Sequence, residues 1–172
     1  PKLIYCAISG YGREGPYANK PTVDFILQGG AGMMSWTGPE GGQPVRIGPI
    51  VSDFAAGAMA CLGVLTALYV RDRTGAGQRV DVSLLDSSLH VFAQRLLEWP
   101  VRGGRLRPMG TKHPWNAPHK TFKTQDGLIN IGVQEEHRWT AFCQAIGMPE
   151  LAADKRFRSN SERVANSNEL YA

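Results

Sequence analysis

The sequence predicts an α/β fold that gives way, past residue 100, to a smaller α+β region. Three observations carry the prediction. Short runs at residues 3–8 and 78–84 have strand character, the first apolar and the second alternating polar with apolar. Between them lies the longest uncharged stretch of the chain, residues 54–70, which reads as a helix. After residue 100 a hairpin signal is followed by helices, the order of an α+β region rather than of further strand–helix units. The 172 residues suit one domain or a part of a larger one, and they suffice to bury a core without a disulfide or metal staple. With 42% hydrophobic and 20% charged residues, the chain does not belong to the highly charged disordered class.

The first strand, 3–8, runs into Ser9-Gly10-Tyr11-Gly12-Arg13-Glu14-Gly15-Pro16. The spacing of Gly10, Gly12 and Gly15 matches a dinucleotide fingerprint, but that loop must open a helix. Here Pro16 and Asn19-Lys20-Pro21 carry turn chemistry instead. Asp24 also comes too early to serve as the ribose-binding acid. The fingerprint is therefore rejected, although a glycine loop after a strand still allows a ligand close to the backbone. A short helix or turn at 24–28 ends in Gly29-Gly30-Ala31-Gly32, and Gly38-Pro39-Glu40-Gly41-Gly42 forms a second turn rich in breakers. A brief apolar run at 45–50 contains Pro49.

The uncharged stretch 54–70 holds Gly57, Gly63 and several alanines. It falls short of the ~20 residues that span a bilayer and is expected to be a fully buried helix whose small residues admit close neighbours. Arg71, Asp72 and Arg73 end it, and Gly75 and Gly77 close it. Residues 78–84 form the second strand, and 86–99, with Leu89, Phe92, Leu96 and Trp99 at helical spacing, the second helix. From Pro100 to Pro118 the chain turns basic and rich in Gly and Pro, which is the expected boundary. The expected parts are thus 1–100, a linking loop at 101–118, and 119–172. Residues 122–124 and 128–133 flank Gln125-Asp126-Gly127 as a hairpin. An amphipathic helix at 139–146, a link at 154–157 and a last helix from about Asn160 complete the reading. Both ends read as cut from a longer protein, since no Met opens the chain and the last residues resemble an interrupted helix.

Lys and Arg number 19 against 15 Asp and Glu, a net charge of +4 that favours an anionic ligand without requiring nucleic acid. Much of the excess lies in Arg102, Arg105, Arg107, Lys112, His113, His119, Lys120 and Lys123, with only Trp115 and Phe122 as aromatics among them. Surfaces that bind nucleic-acid strands interleave more stacking rings with their charge, so no nucleic-acid partner is expected. The stretch reads either as a solvated loop or as a lid over a phosphate-bearing small molecule. His90, His113, His119 and His137 lack metal-ligand spacing, and no metal site is expected. Cys6, Cys61 and Cys143 stand in apolar surroundings without a C-x-x-C pair; they read as buried thiols of a reducing, cytoplasmic compartment, with no membrane contact.

Asp53 admits two readings. Ser52-Asp53 immediately precede the apolar helix, where Ser and Asp serve as N-caps. A carboxylate at a helix N-terminus is also held ionised by the local positive potential. Facing a cleft, it becomes a nucleophile flanked by backbone N–H donors. The glycines at 29–32 and 38–42 would then give a substrate room.

Taken in order, several motifs carry a resemblance. Ser9-Gly10-Tyr11-Gly12 with Gly15-Pro16-Tyr17, Asp24, Met33-Met34, Thr37-Gly38 and Arg46-Ile47-Gly48 with Asp53 closely resemble the class III CoA-transferase family, which also contains the α-methylacyl-CoA racemases. The likeness continues through Arg73-Thr74-Gly75-Ala76-Gly77-Gln78, Asp81-Val82-Ser83-Leu84-Leu85-Asp86, His113-Pro114, Ala117-Pro118, Asp126-Gly127 and Arg163-Val164-Ala165-Asn166, so it covers essentially the whole chain. It implies that 1–100 is the later part of a Rossmann-like large domain, 101–118 a linker and active-site loop, and 119–172 the opening of the small α+β domain of an interlocked homodimer. It also implies acyl-CoA and a small carboxylate as substrates, with CoA as substrate rather than as a resident cofactor.

The resemblance implies catalytic roles for Asp53 and Asp24. The Asp at the position of Asp53 attacks the acyl-CoA thioester in the transferases and passes through an aspartyl anhydride and an aspartyl-CoA thioester. Asp24 matches an acidic position that supports the site by hydrogen bonding. Gly12, Val23, Gly110 and His113 fall where the family meets CoA, and residues 103–118 resemble the segment that carries a mobile loop. The racemases instead need a general base, a His just before the acidic residue matching Asp24. Val23 stands there and cannot move a proton. Most transferases have an aromatic at that point, so Val23 departs from their pattern too. Glu135 matches the second acid/base position of the racemases, while Gln134-Glu135-Glu136-His137 also reads as a polar helix start. The segments at 110–114 and 156–166 look most like transferases for small dicarboxylic acids. The main expectation is therefore CoA transfer, with racemisation, or an inactive fragment lacking an upstream CoA site, as alternatives.

Overall fold

The computed structural model describes residues 1–102 and 106–172. Gly103, Gly104 and Arg105 of the basic stretch, together with the side chains of Trp99, Val101 and Arg102, lie outside the described residues. The chain divides into two compact units, Pro1–Pro108 and Met109–Ala172, each a mixture of helix and sheet.

In the first unit two short strands, β1 (Tyr5–Ser9) and β2 (Arg79–Ser83), pair in parallel, with Cys6 opposite Val80 and Ile8 opposite Val82. Parallel strands cannot be joined by a tight turn, and the crossover here is long. It contains α1 (Asp24–Gly30), a 3₁₀ turn at Met33–Trp36 and α2 (Val51–Thr74). At the exit from β1, the Gly10 carbonyl accepts the Leu85 N–H at 3.0 Å, and a Cβ at Gly10 would collide with the Thr22 methyl. That close approach accounts for glycine at this position. After β2 the chain enters α3 (Leu84–Arg102) directly. Leu85, Leu89, Phe92 and Leu96 of α3 pack with Ala31, Met33, Trp36, Ile47 and Val51 as the core of this unit. Full burial of side chains such as Leu27 and Met33 contributes roughly 1.5–3 kcal/mol each.

Two expectations for these helices are corrected. The helix expected at 54–70 is α2, which begins at Val51, ends at Thr74 and is not fully buried. Ala56, Ala60, Gly63 and Ala67 form a stripe of small residues on its inner side; a Cβ on Gly63 would stand 2.6 Å from the Val80 side chain. The opposite face carries Phe54 (71% exposed), Leu62, Leu65 and Tyr69, all open to solvent. The helix is apolar on both faces, but α1, α3 and the sheet cover only one. It is also, among the described residues, the helix long and apolar enough to cross a membrane by length and composition alone. Cys61 lies on the exposed side and Cys6 is half-buried, so only Cys143 among the cysteines is buried as expected. The second correction concerns α3, which includes Pro100 and continues to Arg102 instead of stopping at Trp99. Pro100 lies two residues from its end, and its missing N–H leaves the Leu96 carbonyl without a helical donor.

The second unit is built on an antiparallel hairpin of β3 (His119–Lys123) and β4 (Leu128–Gly132), with Thr121 opposite Asn130. The Asp-Gly turn is closed by the Thr124 N–H on the Gly127 carbonyl at 2.9 Å. His119, Lys120 and Lys123 of the expected basic loop are therefore strand residues. The amphipathic helix, α4 (Glu136–Ala145), starts at Glu136 rather than at Trp139. Its Trp139 and Cys143 join Val133 and Phe157 in the core. The last helix is split into α5 (Asn160–Ala165) and α6 (Ser167–Leu170). Ser159 and Glu162 form a reciprocal capping box at the start of α5, which explains why the helix begins there.

Candidate active site

The residues that matter most sit at the entrance to α2. Asp24 opens α1 and is only 5% exposed. Its Oδ1 accepts the N–H of Ser52 at 2.8 Å, and its Oδ2 accepts Gln28 Nε2 at 2.7 Å. A carboxylate taking a first-turn N–H is a cap, supplied here by a residue on another helix. The position that a cap normally occupies is filled by Ile50, which has no side chain able to do this.

The expectation that Ser52 and Asp53 precede the helix as its caps is therefore corrected. Val51, Ser52 and Asp53 are its first three helical residues. The local reason is that Pro49 and Ile50 end the extended approach, and helical geometry starts at the next residue. Ser52 is fully buried with its Oγ unpartnered, whereas Asp53 is exposed. In the first turn the Val51 N–H bonds to the Pro49 carbonyl and the Phe54 N–H to that of Ile50. The Asp53 N–H meets no acceptor, and its carboxylate has no hydrogen bond or ion pair among the described residues. The result is an exposed carboxylate on the first turn of a 24-residue helix, at its positive end.

Gln28 is the residue that sequence reasoning missed. It is fully buried, with Oε1 accepting the Ile47 N–H at 2.8 Å. Besides Asp24, its Nε2 faces the carbonyls of Ile47 (3.3 Å) and Pro49 (3.2 Å). The signal available in the sequence was the spacing Asp24-x-x-x-Gln28, which puts both side chains on one helix face.

The other expected site residues fall as follows. Val23 is the residue before α1 and is largely exposed, beside Asp24 in sequence. Gly12 has a positive φ of 92°, with open space where a side chain would stand. Gly29 and Gly30 form the last turn of α1, with open space where a Cβ on Gly30 would stand. Gly110 and His113 belong to the second unit. Gly110 takes a φ of 61° in a turn closed by the Lys112 N–H on the Met109 carbonyl. The His113 ring stacks on His119 at 4.6 Å between centroids, and its Nδ1 accepts the Trp115 N–H. Glu135 caps no helix with its side chain and pairs with Arg138 at 2.6 Å. A cavity of about 390 Å³ in the first unit lies between α2, β2 and α3, lined by Met59, Gly63, Val80, Asp86 and His90, and includes neither Asp24 nor Asp53.

Arg163, quoted in the resemblance, is fully buried in the second unit and has a structural role. Its guanidinium donates to the carbonyls of Ala117 (2.7 Å) and Phe157 (3.1 Å) and to Glu136 Oε2 (3.0 Å), and lies over the Trp139 ring. Burial, the largest single influence on Glu136, pushes its carboxyl up. The Asn160 N–H and the Arg163 guanidinium together outweigh it and hold Glu136 below the ordinary glutamate range.

Comparison with known proteins agrees with the order of these motifs. The model of CoA-transferase family III matches residues 1–172. An acetyl-CoA:oxalate CoA-transferase of Acetobacter aceti is 40% identical over 173 residues, covering 100% of this chain and 44% of that protein. A succinate–glutarate CoA-transferase of Agrobacterium fabrum is 35% identical over 99% of this chain and 42% of its own length. Among solved structures, a CaiB/BaiF family protein from Brucella suis superposes with a TM-score of 0.81 at 37% identity, over 99% of this chain and 45% of that one. The chain thus spans less than half the length of the relatives it matches. With a family model matched from end to end and a related fold at this level of identity, the chain belongs to CoA-transferase family III.

Proposed function

We propose that the protein containing this chain is a CoA-transferase that moves CoA from an acyl-CoA to a small dicarboxylic acid, with Asp53 as nucleophile. The observation that carries this reading is an exposed, unpartnered carboxylate on the first turn of α2, whose helix end is fixed from behind by Asp24. Asp53 attacks the thioester carbonyl; the C–S bond breaks, CoA leaves as thiolate and an acyl–aspartyl anhydride remains. The thiolate then attacks the aspartyl carbonyl, expels the donor acid as carboxylate and forms aspartyl-CoA. The acceptor carboxylate attacks in turn, releasing thiolate and forming a second anhydride. Thiolate attack on the acceptor's acyl carbonyl yields the new acyl-CoA and frees Asp53. Each step has a good leaving group, which is the gain of covalent catalysis. The positive end of α2, with the Asp53 N–H unengaged, favours the negative charge that develops on oxygen.

The relatives named above act on oxalate and on succinate and glutarate, all dicarboxylic acids, which supports that acceptor class. Racemisation is not favoured, because Val23 offers no base and Glu135 is engaged by Arg138. In this reading Gly12 and Val23 of the first unit are CoA-contacting residues, and so, within the second unit, are Gly110 and His113. In the same reading, residues 1–100 belong to a Rossmann-like large domain, 101–118 to the linking loop, 119–172 to the small domain, and two subunits interlock. Asp53→Ala in the full-length protein is expected to abolish transfer, and hydroxylamine is expected to trap an aspartyl hydroxamate at Asp53 only in the presence of acyl-CoA. Full transfer by the Ala variant would end the proposal.

A further inference from the structure

We propose that Gln28 is a positioning residue for Asp53, holding the approach to α2 so that the carboxylate meets the thioester at the correct angle; this rests on the transferase reading above. Gln28 is buried completely, and both ends of its amide are used on the segment that leads into α2. The Ile47 N–H can only donate, so it fixes Oε1 on its side and turns Nε2 toward Asp24. One N–H then serves the Asp24 carboxylate and the other is shared between the Ile47 and Pro49 carbonyls. Residues 47 and 49, six and four residues before the nucleophile, are thereby held through three backbone groups.

The same amide also orients the Asp24 carboxylate that caps Ser52, the residue next to Asp53. The first turn of α2 is therefore held from its backbone approach and from its cap through one side chain. Packing alone does not call for glutamine here. Removing the amide also costs stability, because the Ile47 N–H and a buried Asp24 oxygen lose their partner; what a folded variant isolates is the geometric contribution. Nucleophilic attack needs that precision, since a displacement of about 1 Å can cost on the order of 100-fold in rate.

The test uses the full-length enzyme with Gln28→Met and Gln28→Glu, measured beside wild type and Asp53→Ala. Gln28→Met keeps length and removes every amide bond; kcat is expected to fall at least about tenfold while KM for acyl-CoA changes less than about threefold, with hydroxamate trapping at Asp53 slowed in parallel. Gln28→Glu offers a donor toward Asp24 only when the new carboxyl is protonated, its single O–H then standing in for one of the two amide N–H groups. Its kcat relative to wild type is expected to rise as pH is lowered from 8 to 6. A folded Gln28→Met enzyme with kcat within twofold of wild type would overturn the proposal, as would a Gln28→Glu ratio that ignores pH. Misfolding of both variants would assign Gln28 to the fold and overturn it as well. If instead Asp53→Ala retains transfer, it is the transferase mechanism that fails, so the two failures are told apart.

Discussion

Arg163 and Asp24 show how single side chains join segments distant in sequence. Arg163 reaches the carbonyl of Ala117 and the carboxylate of Glu136 from α5, tying the start of the hairpin to the start of α4. Arg163→Met leaves two carbonyls without their donor and is expected to destabilise the second unit by about 2–4 kcal/mol. The loss is read in denaturant titrations followed by Trp139 fluorescence. Glu136 provides the pH dependence. Its carboxyl lies below the ordinary value in the folded state, so it contributes stability that is present above the unfolded glutamate value of about 4.3. That contribution is lost as pH falls through the lowered folded value. Glu136→Gln is expected to flatten this part of the acid limb, and an unchanged acid limb would show that the ion pair does not couple to folding. At Asp53 the decisive fact is contrast: the neighbouring Ser52 is sealed while Asp53 is open to solvent.

Among the elements, α2 differs most from expectation. Its inner stripe of Ala and Gly lets the helix lie close against Val80 of β2, and its outer face carries large apolar side chains into solvent. The cysteines report this difference in a simple way. Cys61 on the outer side is expected to react with a thiol reagent such as DTNB in the folded chain, whereas Cys143, buried and with its thiol pushed up by burial, reacts only on unfolding. Equal rates for the two would contradict the packing described. For the other elements, local signals served well where the cause was local. The Asp126-Gly127 turn and the alternation at 78–84 mark the hairpin and β2 within a residue or a few. The end of α3 differs because Pro100 reads as a breaker, whereas the helix runs two residues past it before stopping.

For the molecule as a whole, the exposed apolar residues of α2 and the two-stranded parallel sheet have one consequence. Phe54, Leu62, Leu65 and Tyr69 make an exposed apolar face, and the two-stranded sheet against the other side of α2 has open edges of its own. Residues 1–172 on their own are expected to self-associate at micromolar concentration, and Leu62→Glu with Leu65→Lys is expected to shift sedimentation toward the monomer. A monomer with the native residues, at the same concentration, would refute this. The mild +4 charge fits the anionic substrates of the proposed reaction, but it does not select among them.

Periodicity, turn chemistry and the ordered motifs were enough to place both strands, the long helix, the hairpin and the family, and to point to Asp53. These signals are written in residues close together in the chain, where backbone sterics and side-chain spacing act directly. The cap on α2 is different: Asp24 serves it across 28 residues, and nothing local to Ser52 announces it. The same holds for Gln28 under the approach to α2 and for Arg163 in the core of the second unit. Polar residues normally favour water, and their burial becomes favourable only when folding brings their hydrogen-bond partners together. Which face of α2 is covered was likewise a tertiary outcome: the helix has no polar face to mark the solvent side, and its small-residue stripe gains its meaning only when Val80 is brought against it.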